Sequence, residues 1–179
     1  MEERKTVSQS RCEMNEIVLP NDTNGLGNLM GGRLLYYMDV CAAISAQRHA
    51  NRVCVTASVD TVEFHSPIFQ SEIVHIVGQV NRAFTTSMEI ELNVWAENPL
   101  TRTRRKCNRA FYTFVALDDE GKPVRVPPIH PETDEERERY ESAAKRREFR
   151  LVFAGRLDLK DAVGIREDML EALRGREIP

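Results

Sequence analysis

The twenty residues from Met30 to His49 constrain the fold of this chain more than any other part of its sequence. Between Arg33 and Arg48 the only charged residue is Asp39, and the apolar pattern is too long and continuous for a half-exposed strand. A surface helix carries a polar stripe, whereas a helix that is apolar nearly all round is buried. The stretch therefore predicts one central, buried helix that holds a single carboxylate.

The segments around this helix have the composition of β-strands. They are rich in β-branched and aromatic residues, and residues 88–95 alternate between apolar and polar positions. The links between the later segments are too short for crossover helices, which favours an antiparallel meander. The predicted strands comprise residues 10–19, 53–64, 71–80, 88–95 and 105–117.

The composition changes after Pro131. Residues 132–149 are acidic first and basic later, which suits the helix macrodipole, and their charges recur at helical spacing. A further short helix is predicted within residues 157–176. The chain is therefore expected to divide into region 1–130, with the central helix and the sheet, and region 131–179, a charged C-terminal helical extension.

These elements predict an α+β fold in which an antiparallel β-sheet wraps around a central α-helix. One sheet and one helix leave a sheet edge and one flank of the helix uncovered, and proteins normally protect unpaired strand edges. Pairing of edge strands between two copies of the chain would cover both surfaces. A homodimer is therefore expected.

The composition also argues against several classes of protein. A net charge of −3 over 179 residues gives no general attraction for nucleic acid. No apolar run approaches the roughly 18 residues that span a bilayer, and the first ten residues lack the apolar segment of a secretory signal. No nucleic acid and no membrane are therefore expected as partners. The four cysteines lie beside apolar residues, which indicates reduced core thiols and a cytoplasmic protein.

The sequence lacks the usual motifs of serine and metal hydrolases. It contains neither a GxSxG elbow nor a Ser-His-Asp order, and neither HExxH nor a paired Cys/His cluster. A nucleophilic serine and a catalytic metal are therefore not expected.

Asp39 and the glycine pair ahead of it are the candidates for chemistry. A carboxylate removed from water becomes a stronger base, so Asp39 could take a proton from an attacking water. Gly31 and Gly32 stand at the start of the helix, where backbone N–H groups have no intrahelical partner and could stabilise an oxyanion. From the residues alone, Asp39 fits equally well a core acid that pairs with an arginine or caps a loop. The glycines also fit a helix start that needs close packing.

The stretch LPNDTNGLGNLMGGRLLYYMDVCAA, residues 19–43, resembles the hotdog-fold acyl-CoA thioesterases, specifically the cytosolic acyl-CoA hydrolase family. That family carries a loop of the form N-x-x-G-(N/D)-x-x-G-G ahead of a helix that contains Met-Asp. Further matching stretches follow in order: VEFHSPI at 62–68, TTSMEIELNVWAEN at 85–98 and AFYTFVALDDEGKP at 110–123. The resemblance covers about residues 10–125.

The resemblance implies hydrolysis of acyl-CoA to free fatty acid and coenzyme A, by homodimers that often form hexamers as trimers of dimers. Its catalytic carboxylate corresponds to Asp39, acting as general base or nucleophile, and its loop partner to Asn28. The two are implied to come from opposite subunits at the dimer interface, with Asn28 orienting the water or the thioester. Asn24 is a further substrate-binding candidate. Coenzyme A is part of the substrate, so no cofactor is expected.

Binding of coenzyme A phosphates is expected to use basic residues. Residues 101–109 contain five lysines and arginines, which suit phosphate groups. The candidates are Arg82, Ser87 and Arg105, because the resemblance places the turn at 85–87 near the nucleotide. The same charges also fit a solvated hairpin edge that blocks strand pairing.

Two other functions stay open at the level of sequence. An acyl-CoA-binding sensor would keep the pocket without the chemistry, and the candidate catalytic pair favours the enzyme over this alternative. A hotdog dehydratase that acts on hydroxyacyl-CoA would need a catalytic His-Asp hydration pair, which we do not find in the sequence.

Overall fold

The computed structural model describes residues 4–167. They fall into two compact units that divide between Glu132 and Thr133. The first unit contains strands β1 (Lys5–Thr6), β2 (Cys12–Ile17), β3 (Val53–Val59), β4 (Ile73–Ala83), β5 (Ser87–Glu97), β6 (Arg104–Leu117) and β7 (Ile129–His130), and helices α1 (Val7–Ser10) and α2 (Gly31–Ala50).

Five strands form one antiparallel sheet in the order β2-β4-β5-β6-β3, and β1 and β7 form a separate parallel pair. Strands β4, β5 and β6 follow one another as the predicted meander. The prediction is wrong for β3, which pairs with β6 at the far edge of the sheet and not with β4. Residues 60–72 therefore carry the chain from one edge of the sheet to a strand near the other edge.

Helix α2 lies against one face of this sheet and confirms the predicted central helix. It approaches β4 so closely that a Cβ atom at Gly78 would lie 3.1 Å from Cys41 Sγ. A side chain at this position would push the helix away, which explains a glycine inside a strand. The arrangement is the expected hotdog fold. All four cysteines are buried and free.

In the single chain α2 has the uncovered flank that one sheet and one helix are expected to leave. One side of the helix packs on the sheet, with Met38 and Cys41 fully buried. On the other side Tyr36 is 57% exposed, and Asp39 and Val40 are half-buried. The sheet covers only one flank of the helix, so its second apolar flank faces outward in the isolated chain.

Strand β3 is also incompletely covered in the single chain. It pairs with β6 on one side only, and Cys54 is its single buried residue. The side chains of Val53, Val55 and Val59 are 65%, 42% and 45% exposed. Apolar residues on both faces of an edge strand suit burial against another surface.

The second unit begins with helix α3 (Asp134–Phe153). Thr133 caps it by accepting a hydrogen bond from Glu136 N, and Glu136 bonds back to the Thr133 N–H as a capping box. Within the predicted 157–176 segment, Leu159–Asp161 form one 3-10 turn and residues 163–167 are helical, while residues 168–176 lie outside the described residues. No helix within residues 4–167 is long and apolar enough to cross a membrane.

Candidate active site

Asp39 lies opposite the edge strand β3. The Thr56 hydroxyl donates a hydrogen bond of 2.6 Å to Asp39 Oδ1. No partner for the second carboxylate oxygen, Oδ2, is found among residues 4–167. The hydroxyl therefore fixes the orientation of the carboxylate and leaves one oxygen open towards the uncovered flank of the helix.

Tyr112 supports this corner of the site from within the sheet. It is 1% exposed on β6, and burial, followed by the nearby Asp39 carboxylate, raises its pKa to about 12. The phenol therefore stays neutral at physiological pH. A neutral phenol beside Asp39 adds no second negative charge to the site.

The first turn of α2 presents two backbone donors. The N-cap residue Met30 makes no side-chain capping bond. Its carbonyl accepts from Arg33 N and Leu34 N at 2.9 and 3.0 Å, and no acceptor for the N–H groups of Gly31 and Gly32 is found in the described part of the chain. Such N–H groups at a helix start are suited to an anion.

The surroundings of the two glycines differ. A Cβ atom at Gly31 would lie 3.3 Å from Cζ of Phe64, whereas one at Gly32 would meet nothing within 4 Å. Gly31 is therefore covered by an aromatic ring of its own chain. Gly32 faces open space that a substrate or another subunit could fill.

The loop ahead of the helix, residues 23–29, is closed on itself. Thr23 and Leu29 bridge its ends, and Asn24 N donates to Asn28 O at 2.8 Å. The Asn24 side chain builds the loop, because its Oδ1 accepts from the N–H groups of Leu26 and Asn28 at 2.9 and 3.2 Å. The side-chain Oδ1 of Asn28 is buried and has no hydrogen-bond partner.

A cavity of about 390 Å³ adjoins this loop and the helix start. Its walls are mainly apolar, with a few polar groups, as in most small-molecule sites. They comprise Asn24, Asn28, Leu29, Gly31, Leu34, Phe64, Ser66, Pro67 and Ile68. The structure thus brings Asn24, Asn28 and Gly31 together at one cavity.

Asp22 joins the loop to the helix and escaped the sequence prediction. Arg33 Nε donates to Asp22 Oδ1 at 2.6 Å, and the Asp22 carbonyl accepts from Met30 N at 2.9 Å. The hydrogen bond from Arg33 is the main reason that the pKa of Asp22 lies below its usual value. This buried carboxylate anchors the neck of the loop.

Arg105 is held by acceptors of its own chain. Its Nη1 and Nη2 donate to the two carboxylate oxygens of Glu72 at 2.7 and 2.6 Å, and Nη2 also donates to the Pro67 carbonyl at 2.6 Å. Arg105 therefore lies beside the cavity with both terminal nitrogens engaged.

Arg82 and Ser87 lie at the other end of the sheet, in and beside the β4–β5 hairpin. Ser87 pairs with Val115, which in turn pairs with Val55, so Ser87 lies about 10 Å from β3, two strand spacings away. Arg105 pairs with Ala96, nine residues further along β5, or about 30 Å from Ser87. One chain thus does not bring all the predicted phosphate ligands together.

Asp39 is likewise separated from the loop in its own chain. Asp39 follows Gly31 by eight positions in the helix, a rise of about 12 Å. Thr56, which does reach Asp39, was not predicted, because its contact joins residues 17 positions apart and an isolated strand threonine carries no signal. Within residues 4–167 no group of His, Cys, Asp and Glu could hold a metal ion.

Comparison with known proteins gives consistent matches. The model of the family described as Thioesterase superfamily matches residues 26–103. An uncharacterized acyl-CoA thioester hydrolase of Bacillus subtilis is 44% identical over 144 residues, 80% of this chain and 80% of that protein. The cytosolic acyl coenzyme A thioester hydrolase of Rattus norvegicus is 38% identical over 146 residues, 80% of this chain but 38% of its own length.

Solved structures match over most of the chain. The acyl-CoA hydrolase of Staphylococcus aureus, in complex with butyryl coenzyme A, coenzyme A and coenzyme A disulfide, is 35% identical with a TM-score of 0.80 and covers 96% of this chain and 99% of its own. An apo-hexameric acyl-CoA thioesterase is 41% identical with a TM-score of 0.81 and covers 84% and 97%.

Three further structures are variants of the Staphylococcus aureus hydrolase in which an aspartate, a threonine or an asparagine is replaced by alanine. Their TM-scores are 0.77, 0.78 and 0.82, and their identities 37%, 37% and 34%. They cover 85%, 86% and 98% of this chain, and 95%, 96% and 100% of their own. The asparagine variant is in complex with coenzyme A.

Proposed function

Since this chain belongs to the acyl-CoA thioester hydrolases of the thioesterase superfamily, we propose that it hydrolyses acyl-CoA to free fatty acid and coenzyme A at a site built from two subunits. The observation that carries the proposal is the bond of 2.6 Å between Thr56 and Asp39 at an uncovered flank of the central helix. Aspartate, threonine and asparagine are also the residue types replaced in the variants of the Staphylococcus aureus hydrolase.

Asp39 supplies the base in this proposal. Its free oxygen takes a proton from water while the water oxygen attacks the thioester carbonyl carbon. The negative charge that develops on the carbonyl oxygen is stabilised by the N–H groups of Gly31 and Gly32. The carbon–sulfur bond then breaks, and the proton returns to the thiolate of coenzyme A. Direct attack by Asp39 to form an anhydride, hydrolysed in a second step, satisfies the same geometry.

The complete site takes Asp39 and Thr56 from one subunit and the loop from the other. Within one chain the rise of about 12 Å between Gly31 and Asp39 is too long for both to contact one thioester carbonyl. An isologous two-fold contact along the uncovered flank of α2 and the edge strand β3 would bring the two halves together. Asn28, whose buried Oδ1 lacks a partner, would then orient the water or the thioester.

The same assembly would bring predicted substrate-binding residues of the two subunits together. Asn24 lines the cavity, and we propose that Arg82 and Ser87 of the other subunit contact the phosphates of coenzyme A. We propose a homodimer that further associates as a trimer of dimers, in line with the hexameric state of a related thioesterase. We also propose that it works in the cytoplasm without a cofactor.

The proposal is tested by thiol release from acyl-CoA of several chain lengths. Purified protein is expected to release coenzyme A, and Asp39→Asn to lower kcat by at least about a hundredfold, the usual range for loss of a general base. Asp119→Asn, in an exposed turn, is the matched control and should keep full turnover. Binding of acyl-CoA in calorimetry without any thiol release would instead indicate a sensor.

A further inference from the structure

The ion pair between Glu72 and Arg105 is unusual because its carboxylate is buried. Glu72 immediately precedes β4 and is 6% exposed, and it lies on the face of the sheet that α2 covers. The hydrogen bond from Arg105 is the main reason that its pKa lies below the usual value. A carboxylate is seldom buried this deeply unless its partner holds it in place.

Glu72 also holds the turn that precedes it. Its Oε2 accepts from Phe69 N at 2.8 Å, and its own N–H donates to the Phe69 carbonyl at 3.1 Å. Between them Ser71 has a φ of 69°, a left-handed conformation that is unfavourable for a non-glycine residue. The Arg105 guanidinium lies 5.4 Å from the centroid of the Phe69 ring. The ion pair thus stabilises a turn that would otherwise be unfavourable.

The turn at 67–72 contacts the loop at residues 23–29. Phe69 forms a bridge with Asn28, Leu29 N donates to the Ile68 carbonyl at 2.7 Å, and Gln70 N donates to the Gly27 carbonyl at 3.1 Å. A continuous set of contacts therefore runs from Arg105 through Glu72 and Phe69 to Asn28. The Pro67 carbonyl, which Arg105 also binds, belongs to a residue of the cavity wall.

We propose that Glu72 and Arg105 are positioning residues, which act through the turn at 67–72 to hold Asn28 and the cavity wall in their productive geometry. The inference rests on the proposed function, and it replaces phosphate binding as the role of Arg105. Displacement of a reacting group by about 1 Å can lower a rate by about a hundredfold, so a clamp distant from the thioester can control catalysis.

The two roles of Arg105 make opposite predictions about substrate. A phosphate ligand matters only for acyl-CoA and not for S-acylpantetheine, which has the same thioester but no nucleotide. A positioning residue affects both substrates equally and acts on kcat. A phosphate role also leaves Glu72 without influence, since its removal would free the guanidinium for the phosphate.

The experiment compares Glu72→Gln, Arg105→Gln and the wild type on the acyl-CoA that the wild type hydrolyses fastest and on S-acylpantetheine with the same acyl group. Each variant is expected to lose kcat by about tenfold or more on both substrates by the same factor. The double variant should be no slower than the worse single variant, because either change opens the same clamp. Arg105→Lys, which can keep one charged hydrogen bond, should recover part of the activity.

A second measurement separates positioning from a general structural defect. In an Asn28→Ala background, Glu72→Gln should have a clearly smaller effect on kcat than in the wild type, because part of the clamp's effect passes through the Asn28 side chain. Glu97→Gln is the matched control: Glu97 also bonds an arginine, Arg104, at 2.7 Å, on the opposite face of the sheet and away from the cavity. It should leave kcat unchanged on both substrates.

Three results would overturn the inference. One is an increase in KM confined to acyl-CoA in Arg105→Gln, with Glu72→Gln unaffected, which assigns Arg105 to phosphate. Another is wild-type kcat in both variants. The third is an equal loss of kcat from Glu72→Gln in the presence and absence of the Asn28 side chain. Absence of thiol release by the wild type on both substrates would instead contradict the proposed function.

Discussion

Thr56 and Asp39 join the edge strand of the sheet to the exposed flank of the central helix through one hydrogen bond of 2.6 Å. The bond places a carboxylate at the surface of the chain, beside the uncovered apolar residues of α2 and β3. Replacement of Thr56 by valine keeps the shape and the strand propensity but removes the hydroxyl. We expect a decrease in kcat of about tenfold or more with unchanged folding, and recovery in Thr56→Ser, measured by steady-state thiol release. Equal kcat in the valine variant would remove the hydroxyl from the mechanism.

A site shared between subunits predicts complementation between impaired variants. Asn28→Ala and Asp39→Asn are each expected to retain only a small, measurable residue of the wild-type kcat. Their equimolar mixture, after unfolding and refolding together, should regain about a quarter of wild-type activity, because half the dimers are mixed and each has one intact site. If both residues acted within one chain, the mixture would remain as slow as its parents.

The edge strand predicts how the assembly can be broken. Val55 is 42% exposed on β3, and a lysine there would place a charge on the free edge without disturbing the core. We expect Val55→Lys to shift the protein to monomers in sedimentation velocity and to abolish thiol release, while the circular dichroism of the chain persists. A fully active monomer would contradict the shared site.

Gly32 predicts a trade-off between stability and activity. It lies in the first turn of α2, and a Cβ atom there meets nothing within 4 Å. Gly32→Ala should raise the free energy of unfolding by up to about 1 kcal/mol, because alanine favours the helix. The same methyl group should lower kcat, since it enters the space in front of the N–H donors. Gly25→Ala, where a Cβ also meets nothing, serves as the control and should keep kcat.

His49 predicts loss of stability in mild acid. The ring is 0% exposed, Nε2 contacts the Pro127 carbonyl at 2.8 Å, and Nδ1 is buried without a partner. Burial lowers the pKa of His49 below its ordinary 6.5. As the pH falls through 6.5, His49 therefore takes up a proton in the unfolded chain before it does so in the folded chain, which favours unfolding. The stability associated with neutral, buried His49 is complete above pH 6.5 and decreases below it.

Urea unfolding of the wild type at a series of pH values between 8 and 5 measures this effect. The free energy of unfolding should decrease as the pH falls, and His49→Gln should show a smaller decrease over the same interval. A wild type and a variant with parallel pH profiles would exclude His49 as the source.

Much of the fold was predictable because it depends on local patterns. The apolar stretch at 30–49 gave helix α2 almost to the residue, Gly31–Ala50, and the runs of β-branched residues located the main strands. The placement of β3 beyond β6 was not predictable, since strand order depends on the path of residues 60–72 around the sheet. Residues of the C-terminal extension beyond 167 lie outside the described part of the chain.

The candidate site was likewise predictable only in part from the sequence. The sequence by itself identified Asp39 as a lone acid in an apolar helix and Gly31–Gly32 as the start of that helix, because both depend on near neighbours along the chain. Only the tertiary structure decided that Thr56 orients Asp39, that Arg105 is engaged by Glu72, and that the loop lies about two helical turns from the acid. These contacts join residues far apart in the chain, so their geometry is set by the packing of strands and helix.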